Sequence, residues 1–195
     1  AGTVNELDAD LITPTASITG TAIGAAGNPI DTTVDSLTTN TSGAGGNQFI
    51  TESNALTALA LNAGAGDITF IATLGAISDT DGTADITAAT ASITLSDAAS
   101  RDFGSLANSI NTNVTNLTVD TSAGGGNQFI AEASGLTAVN LDAGFGVGNI
   151  LLTAGGAIND VEIAGAVGAV SAAGIIDDAA GAEGSADVRA DDLKI

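Results

Sequence analysis

Residues 30–63 read IDTTVDSLTTNTSGAGGNQFITESNALTALALNA, and residues 110–143 read INTNVTNLTVDTSAGGGNQFIAEASGLTAVNLDA. At an offset of 80 the two stretches match at 19 of 34 positions without a gap. A long ungapped copy marks a repeat architecture, in which each unit buries its apolar face against the next. Past a small insertion the copy continues, GDITFIATLGAISD (66–79) being answered by GNILLTAGGAIND (148–160). A second marker, Ala9-Asp10-Leu11, recurs as Ala84-Asp85-Ile86 and as Ala186-Asp187-Val188, and TPTASIT (13–19) is answered by AATASIT (88–94). These markers divide the chain into a first unit over 1–83, a second over 84–183 and the opening of a third over 184–195. The second unit is longer by the equivalent of one coil, and the surplus falls in the Gly/Ala-rich stretch from 161 to 183.

Inside a unit the apolar residues alternate with small polar ones, which is strand period. The pairs Leu59 and Leu61, Ile68 and Phe70, Ile86 and Ala88, and Ile93 and Leu95 show it, as do Val139 and Leu141, and Ile150 and Leu152. Between them lie turn-forming clusters such as Asn62-Ala63-Gly64-Ala65-Gly66-Asp67 and Asp79-Thr80-Asp81-Gly82. No stretch offers a sustained helical face. Short strands at this spacing suit either a parallel β-solenoid or tandem immunoglobulin-like sandwiches. Two-residue Asn-Gly or Asp-Gly hairpin turns, which antiparallel folds favour, are scarce, Asp81-Gly82 being the plain instance. The expectation is therefore an all-β solenoid with coils of roughly 20–25 residues stacked about 4.8 Å apart.

Composition fits thin stacked layers. Hydrophobic residues make up 44%, yet the aromatics are five Phe, so the apolar bulk is Ala, Val, Ile and Leu. The net charge is −20, and Arg101, Arg189 and Lys194 are the only basic side chains. Such a surface excludes nucleic acid as a partner and disfavours anionic membranes, while attracting divalent cations. The stretch Ile163–Ile176 is charge-free but too short to span a bilayer as a helix, and reads as one buried coil without membrane insertion. Cys, His, Tyr, Trp and Met are all absent, which reduces the catalytic inventory to acids, hydroxyls and one lysine. The chain opens at Ala1, and Ile195 falls inside a unit, so a mature fragment or a piece of something larger is expected.

The stretch GTAIGAAGNPIDTTVDSLTTNTSG (20–43), a Gly-bounded strand, and ALTALALNAGAGDITFIATLGAIS (55–78) together resemble the repeats of filamentous-haemagglutinin-like giant bacterial surface proteins. The resemblance covers most of residues 9–160 and implies a right-handed parallel β-helix, secretion to the cell surface, and an adhesive or matrix role. In the second unit Arg101-Asp102-Phe103-Gly104 stands where the first has its Ile-Gly step, and no proline follows, so the two units are expected to differ in turn geometry there.

Three motifs bear on chemistry. Gly43-Ala44-Gly45-Gly46-Asn47-Gln48-Phe49-Ile50 and its copy at 123–130 lack the aspartate and the tandem spacing of the calcium nonapeptide. They read as tight turns delivering Phe49 and Phe129 into the core. Asp79-x-Asp81-Gly82-x-x-Asp85 is the densest acidic cluster; its oxygens could take Ca2+, although the full EF-hand pattern is absent and a solvated turn is the plainer reading. In the second unit Asp160 answers Asp79, with Glu162 as a stand-in. Glu52 recurs as Glu132, which reads as a scaffold position. Three Asn-x-Ser/Thr sequons, at Asn40, Asn113 and Asn116, are weak signals in a chain this rich in Thr.

A structural or adhesive rod is thus expected, not an enzyme, with no catalytic residue, no required cofactor and no assigned metal ligands. Its partners would be further copies of its own repeat, and polysaccharide or cell surfaces. A carbohydrate-active β-helix is the alternative, since two acids suffice for glycoside hydrolysis, but sugar sites favour aromatic platforms that this chain lacks. A flat Thr-rich face for ice or crystal binding is a third reading.

Overall fold

The computed structural model describes residues 9–144, 146–172, 174–175 and 188–194. The first unit contributes β1 (Leu11–Ile12), β2 (Thr15–Thr19), β3 (Ile30–Thr33), β4 (Ser36–Asn40), β5 (Gln48–Glu52), β6 (Ala58–Asn62) and β7 (Ile68–Ala72). There follow β8 (Ile86–Leu95), β9 (Ile110–Asp120), β10 (Gln128–Glu132), β11 (Ala138–Asp142), β12 (Asn149–Ala154), β13 (Ala157–Ile158), β14 (Val161–Ser171), β15 (Gly174–Ile175) and β16 (Val188–Lys194). The chain is an all-β parallel solenoid, with no helix among the described residues. Every pairing between these strands is parallel, which removes the immunoglobulin-like alternative, whose sheets are antiparallel.

The register resolves two stacks. In the first, Ile30 lies opposite Ile50, and the ladder continues through Phe70, Ile93, Val119, Leu141 and Ile163. In the second, Leu37 lies opposite Leu59, and further along Ile110, Ile130 and Leu152 succeed one another. One step along either ladder is one coil, 20 residues at Thr32–Glu52 and 26 at Asp85–Asn111. The long strands β8 and β9 bend from one stack into the other, so the ladders join into a single sheet that runs without a break past residues 83 and 84.

Alternation decides which side chains face inward. Leu59, Leu61, Ile68, Phe70, Ile86, Ile93, Leu95, Val139, Leu141, Ile150 and Leu152 are all buried, as their spacing predicts. Each buried aliphatic side chain contributes about 1.5–3 kcal/mol relative to exposure, which is how a chain nearly free of aromatics builds a core. Ile23, Leu56, Ile77, Phe103, Leu136 and Ile158 extend the core into the corners, where isolated parallel bridges link Leu56 to Ile77 and Ile77 to Phe103.

The structure corrects two expectations. In β5 and β10 the burial alternates so that Gln48, Ile50 and Glu52, and Gln128, Ile130 and Glu132, point inward, leaving Phe49 and Phe129 half-buried. The Gly turn delivers a glutamine to the core, because Ile50 and Ile130 hold the register and a strand can turn in only every second residue. The turn itself needs glycine for close approach: a Cβ on Gly46 would overlap the carbonyl of Thr21, and one on Gly126 that of Arg101.

The second correction concerns Phe103-Gly104. Ile23 bridges Gln48 and Phe103 bridges Gln128; Gly24 and Gly104 both have positive φ, at 63° and 79°. The backbones of Ala25 and Asn28 bond to each other, and so do those of Ser105 and Asn108. The turn is the same in both units, since Phe fills the corner as Ile does and Gly supplies the left-handed residue in each.

The repeat and the coil do not share a period. From Ile30 the first ladder takes three steps, to Ile50, Phe70 and Ile93, and Ile110 then follows half a coil later, in the second stack. Ile30, Ile50 and Phe70 belong to the first stack, whereas their counterparts Ile110, Ile130 and Leu152 belong to the second. An 80-residue repeat therefore occupies three and a half coils and exchanges the two stacks. The extra coil expected over 161–183 lies partly outside the described residues, as do Ala186-Asp187 and Ile195; β14 within it pairs with both β11 and β12.

Candidate functional site

Inward-pointing polar residues must find partners, and their partners define three local arrangements. The first surrounds Glu52 and Glu132. Glu52 is fully buried; its carboxylate accepts from Thr32 Oγ1 at 2.6 Å, Val34 N at 3.1 Å and Asn54 N at 2.8 Å. Glu132 repeats this with Thr112 Oγ1 at 2.6 Å, Val114 N at 3.2 Å, and Ser134 N and Oγ at 2.9 and 2.8 Å. Val34 and Val114 sit at the bend where the chain passes between stacks, so each glutamate satisfies backbone donors that the bend takes out of the ladder. Both carboxylates are committed to the scaffold.

The second arrangement surrounds Gln48 and Gln128, which the sequence reading passed over. Gln48 Nε2 donates to Thr41 Oγ1 and Asn62 O, and Gln128 Nε2 to Thr121 Oγ1 and Asp142 O. Thr41 and Thr121 in turn donate to the carbonyls of Gly46 and Gly126, which closes each turn. The signal was present: Thr41, Gly46, Gln48 and Glu52 are all identical in the second copy, and identity between copies marks buried polar positions as well as apolar ones.

The third arrangement is the acidic cluster. The turn after β7 brings Asp79, Asp81 and Asp85 together, with one carboxylate oxygen of each within 4.8 Å of the others. Asp79 is 5% exposed and Asp85 0%, while Asp81 is open to solvent. Asp79 accepts from Leu59 N at 2.7 Å and Asp81 N at 2.8 Å, and Asp81 accepts from Thr83 N and Oγ1 at 2.7 Å each. The Thr83 bonds hold the Asp81 carboxyl below its ordinary range. Asp85 Oδ2 accepts from Asn111 N at 2.7 Å, whereas the buried Oδ1 has no hydrogen-bond partner. Burial, reinforced by the charges of Asp79 and Asp81, pushes the Asp85 pKa up to about 7. A cleft beside the cluster is lined by Asp79 and Asp81 from one coil and by Asn108, Ser109 and Asn111 from the next.

Two of the marker aspartates, Asp10 and Asp85, share one task. Asp10 Oδ2 accepts from Asp31 N at 2.9 Å as Asp85 accepts from Asn111 N, and residues 31 and 111 are counterparts in the repeat. The second unit does not rebuild the cluster: Val139 N donates to the backbone oxygen of Asp160, where Leu59 N has the Asp79 side chain, and Glu162 turns outward to Asn140. Among the described residues, Asp79, Asp81 and Asp85 are the one group of three acids with this closeness.

No protein-family model, no curated protein and no solved structure matches the chain.

Proposed function

We propose that this chain is a structural and adhesive segment of a repetitive extracellular surface protein or fibre, of the kind its filamentous-haemagglutinin-like repeats resemble. The observation that supports it is the unbroken parallel ladder through both repeat copies, from β1 to β16. Its recurring acids, Glu52 and Glu132, are consumed in holding bends. A stack of this kind grows by adding coils, and its neighbours are further copies of itself. The net charge of −20 keeps such rods apart in solution and leaves polysaccharide or cell surfaces as adhesive targets, with divalent ions as bridges.

Electron microscopy of native material tests the reading. Thin filaments with an axial rise of about 4.8 Å per coil are expected. Compact, monodisperse particles that neither extend at high concentration nor bind cells would overturn it. Incubation with acidic polysaccharides should leave their chain length unchanged; shortening would make the solenoid an enzyme instead.

A further inference from the structure

We propose that Asp79, Asp81 and Asp85 form a Ca2+ site at the seam between coils, on the strength of their convergent carboxylates and the buried, unpartnered oxygen of Asp85. A carboxylate oxygen sealed from water without a donor is costly, and protein interiors tolerate it when a cation supplies the missing partner. Asp85 is fully buried and its Oδ1 has no such partner. The charges acting on Asp85 come from Asp79 and Asp81 and have the same sign as its own, and Arg101 is engaged with Asp97 at 2.7 Å. The cluster therefore concentrates negative charge that no described side chain offsets.

The donor set selects the ion. With no His or Cys anywhere in the chain, the ligands are hard oxygens, which suit Ca2+ or Mg2+ and disfavour transition metals. The three oxygens lie within 4.8 Å of one another. Ca2+ takes oxygens at about 2.3–2.6 Å in flexible geometry, whereas Mg2+ demands a near-ideal octahedron at about 2.0–2.1 Å. The buried carboxylates of Asp79 and Asp85 are fixed by backbone donors from three successive coils, at Leu59, Asp81 and Asn111, so a Mg2+ cannot draw them inward freely. Asn108, Ser109 and Asn111 line the adjoining cleft and, with water, can complete the six to eight oxygens that Ca2+ takes. A bound ion would pin the turn over 79–85 to the coil that follows. This inference stands apart from the adhesive reading, because a solenoid of any function can carry the ion.

Isothermal titration calorimetry of the chelator-stripped 195-residue chain with CaCl2, in 0.15 M NaCl to suppress diffuse binding, decides it. One saturable site per chain is expected, with a Kd in the micromolar to millimolar range, and MgCl2 at least tenfold weaker. Asp81 is exposed, so Asp81→Asn should fold normally and weaken Ca2+ at least tenfold, while the remote Asp120→Asn should leave the Kd within twofold. In melts, Ca2+ should raise the midpoint of the unsubstituted chain by several degrees and that of Asp81→Asn by much less. Absence of a saturable site, equal affinity for Mg2+, or equal effects of the two substitutions would each overturn the proposal.

Discussion

Val119 stands in the second repeat where Thr39 stands in the first, and the exchange strips a buried glutamine of its donor. Thr39 Oγ1 donates to Gln48 Oε1 at 2.5 Å, whereas Gln128 Oε1 is buried with no partner. The other bonds of the network recur in both copies, and Gln128 Nε2 gains one more, to Val119 O at 3.1 Å. An unsatisfied buried acceptor costs about 1–3 kcal/mol. Val119→Thr should therefore raise unfolding free energy by about 1 kcal/mol after the loss of a methyl, and Thr39→Val should lower it by about 1–3 kcal/mol. Urea unfolding of the two variants measures both, and the opposite signs are the test.

Glu132→Gln tests whether the recurring glutamates are scaffold. The substitution turns an amide toward the donors Val114 N, Ser134 N and Thr112 Oγ1, which want an acceptor. A loss of about 2–4 kcal/mol in urea unfolding is expected, with Glu52→Gln similar.

Asp120 and Asp142 are directly opposed in neighbouring strands, where the first repeat has Asn40 opposite Asn62. Like charges so placed are destabilising, by about 0.2–1 kcal/mol. Asp142→Asn should raise the melting midpoint at 10 mM salt and show little effect at 1 M, where the Debye length falls to about 3 Å.

The raised pKa of Asp85 gives a pH dependence in chelator. The folded chain holds this proton up to about pH 7, the unfolded chain only to about 3.8. The group's stabilisation is complete below pH 4, declines as pH rises toward 7, and stays lost above, at a slope of up to about 1.4 kcal/mol per pH unit. Asp85→Asn should flatten that slope in denaturant titrations at pH 4.5, 5.5 and 6.5.

Strand alternation made the inward faces of β6, β7, β8, β11 and β12 legible in the sequence, because a side chain's face follows from its parity along the strand. The same rule, applied to Phe49 by bulk and not by parity with Ile50, gave the wrong face. Phe103 misled in another way: its difference from Ile23 is chemical, while the corner it fills asks only for apolar volume and a following Gly. The closeness of Asp79, Asp81 and Asp85 was legible because it is local to one turn. The bond from Asp85 to Asn111 and the missing partner of its other oxygen were not, since both depend on which residues the next coil sets alongside. The exchange of stacks was hidden for a related reason. Sequence identity reports the 80-residue repeat, but the coil length is set by how far each corner travels before the chain rejoins its ladder.

That mismatch between repeat and coil gives the solenoid a structural period of two sequence repeats. If units of 80 residues follow one another, a given repeat residue surfaces about every 17 Å along the axis, first on one flank and then on the other. A partner that grips a single flank meets its site only at about 34 Å intervals, with the interleaved set facing away. Multivalent contact with one flat surface is thereby halved, and the unused sites are aimed at whatever lies behind. On the adhesive role proposed above, such a rod would act as a two-sided tie between neighbours and not as a one-sided coat.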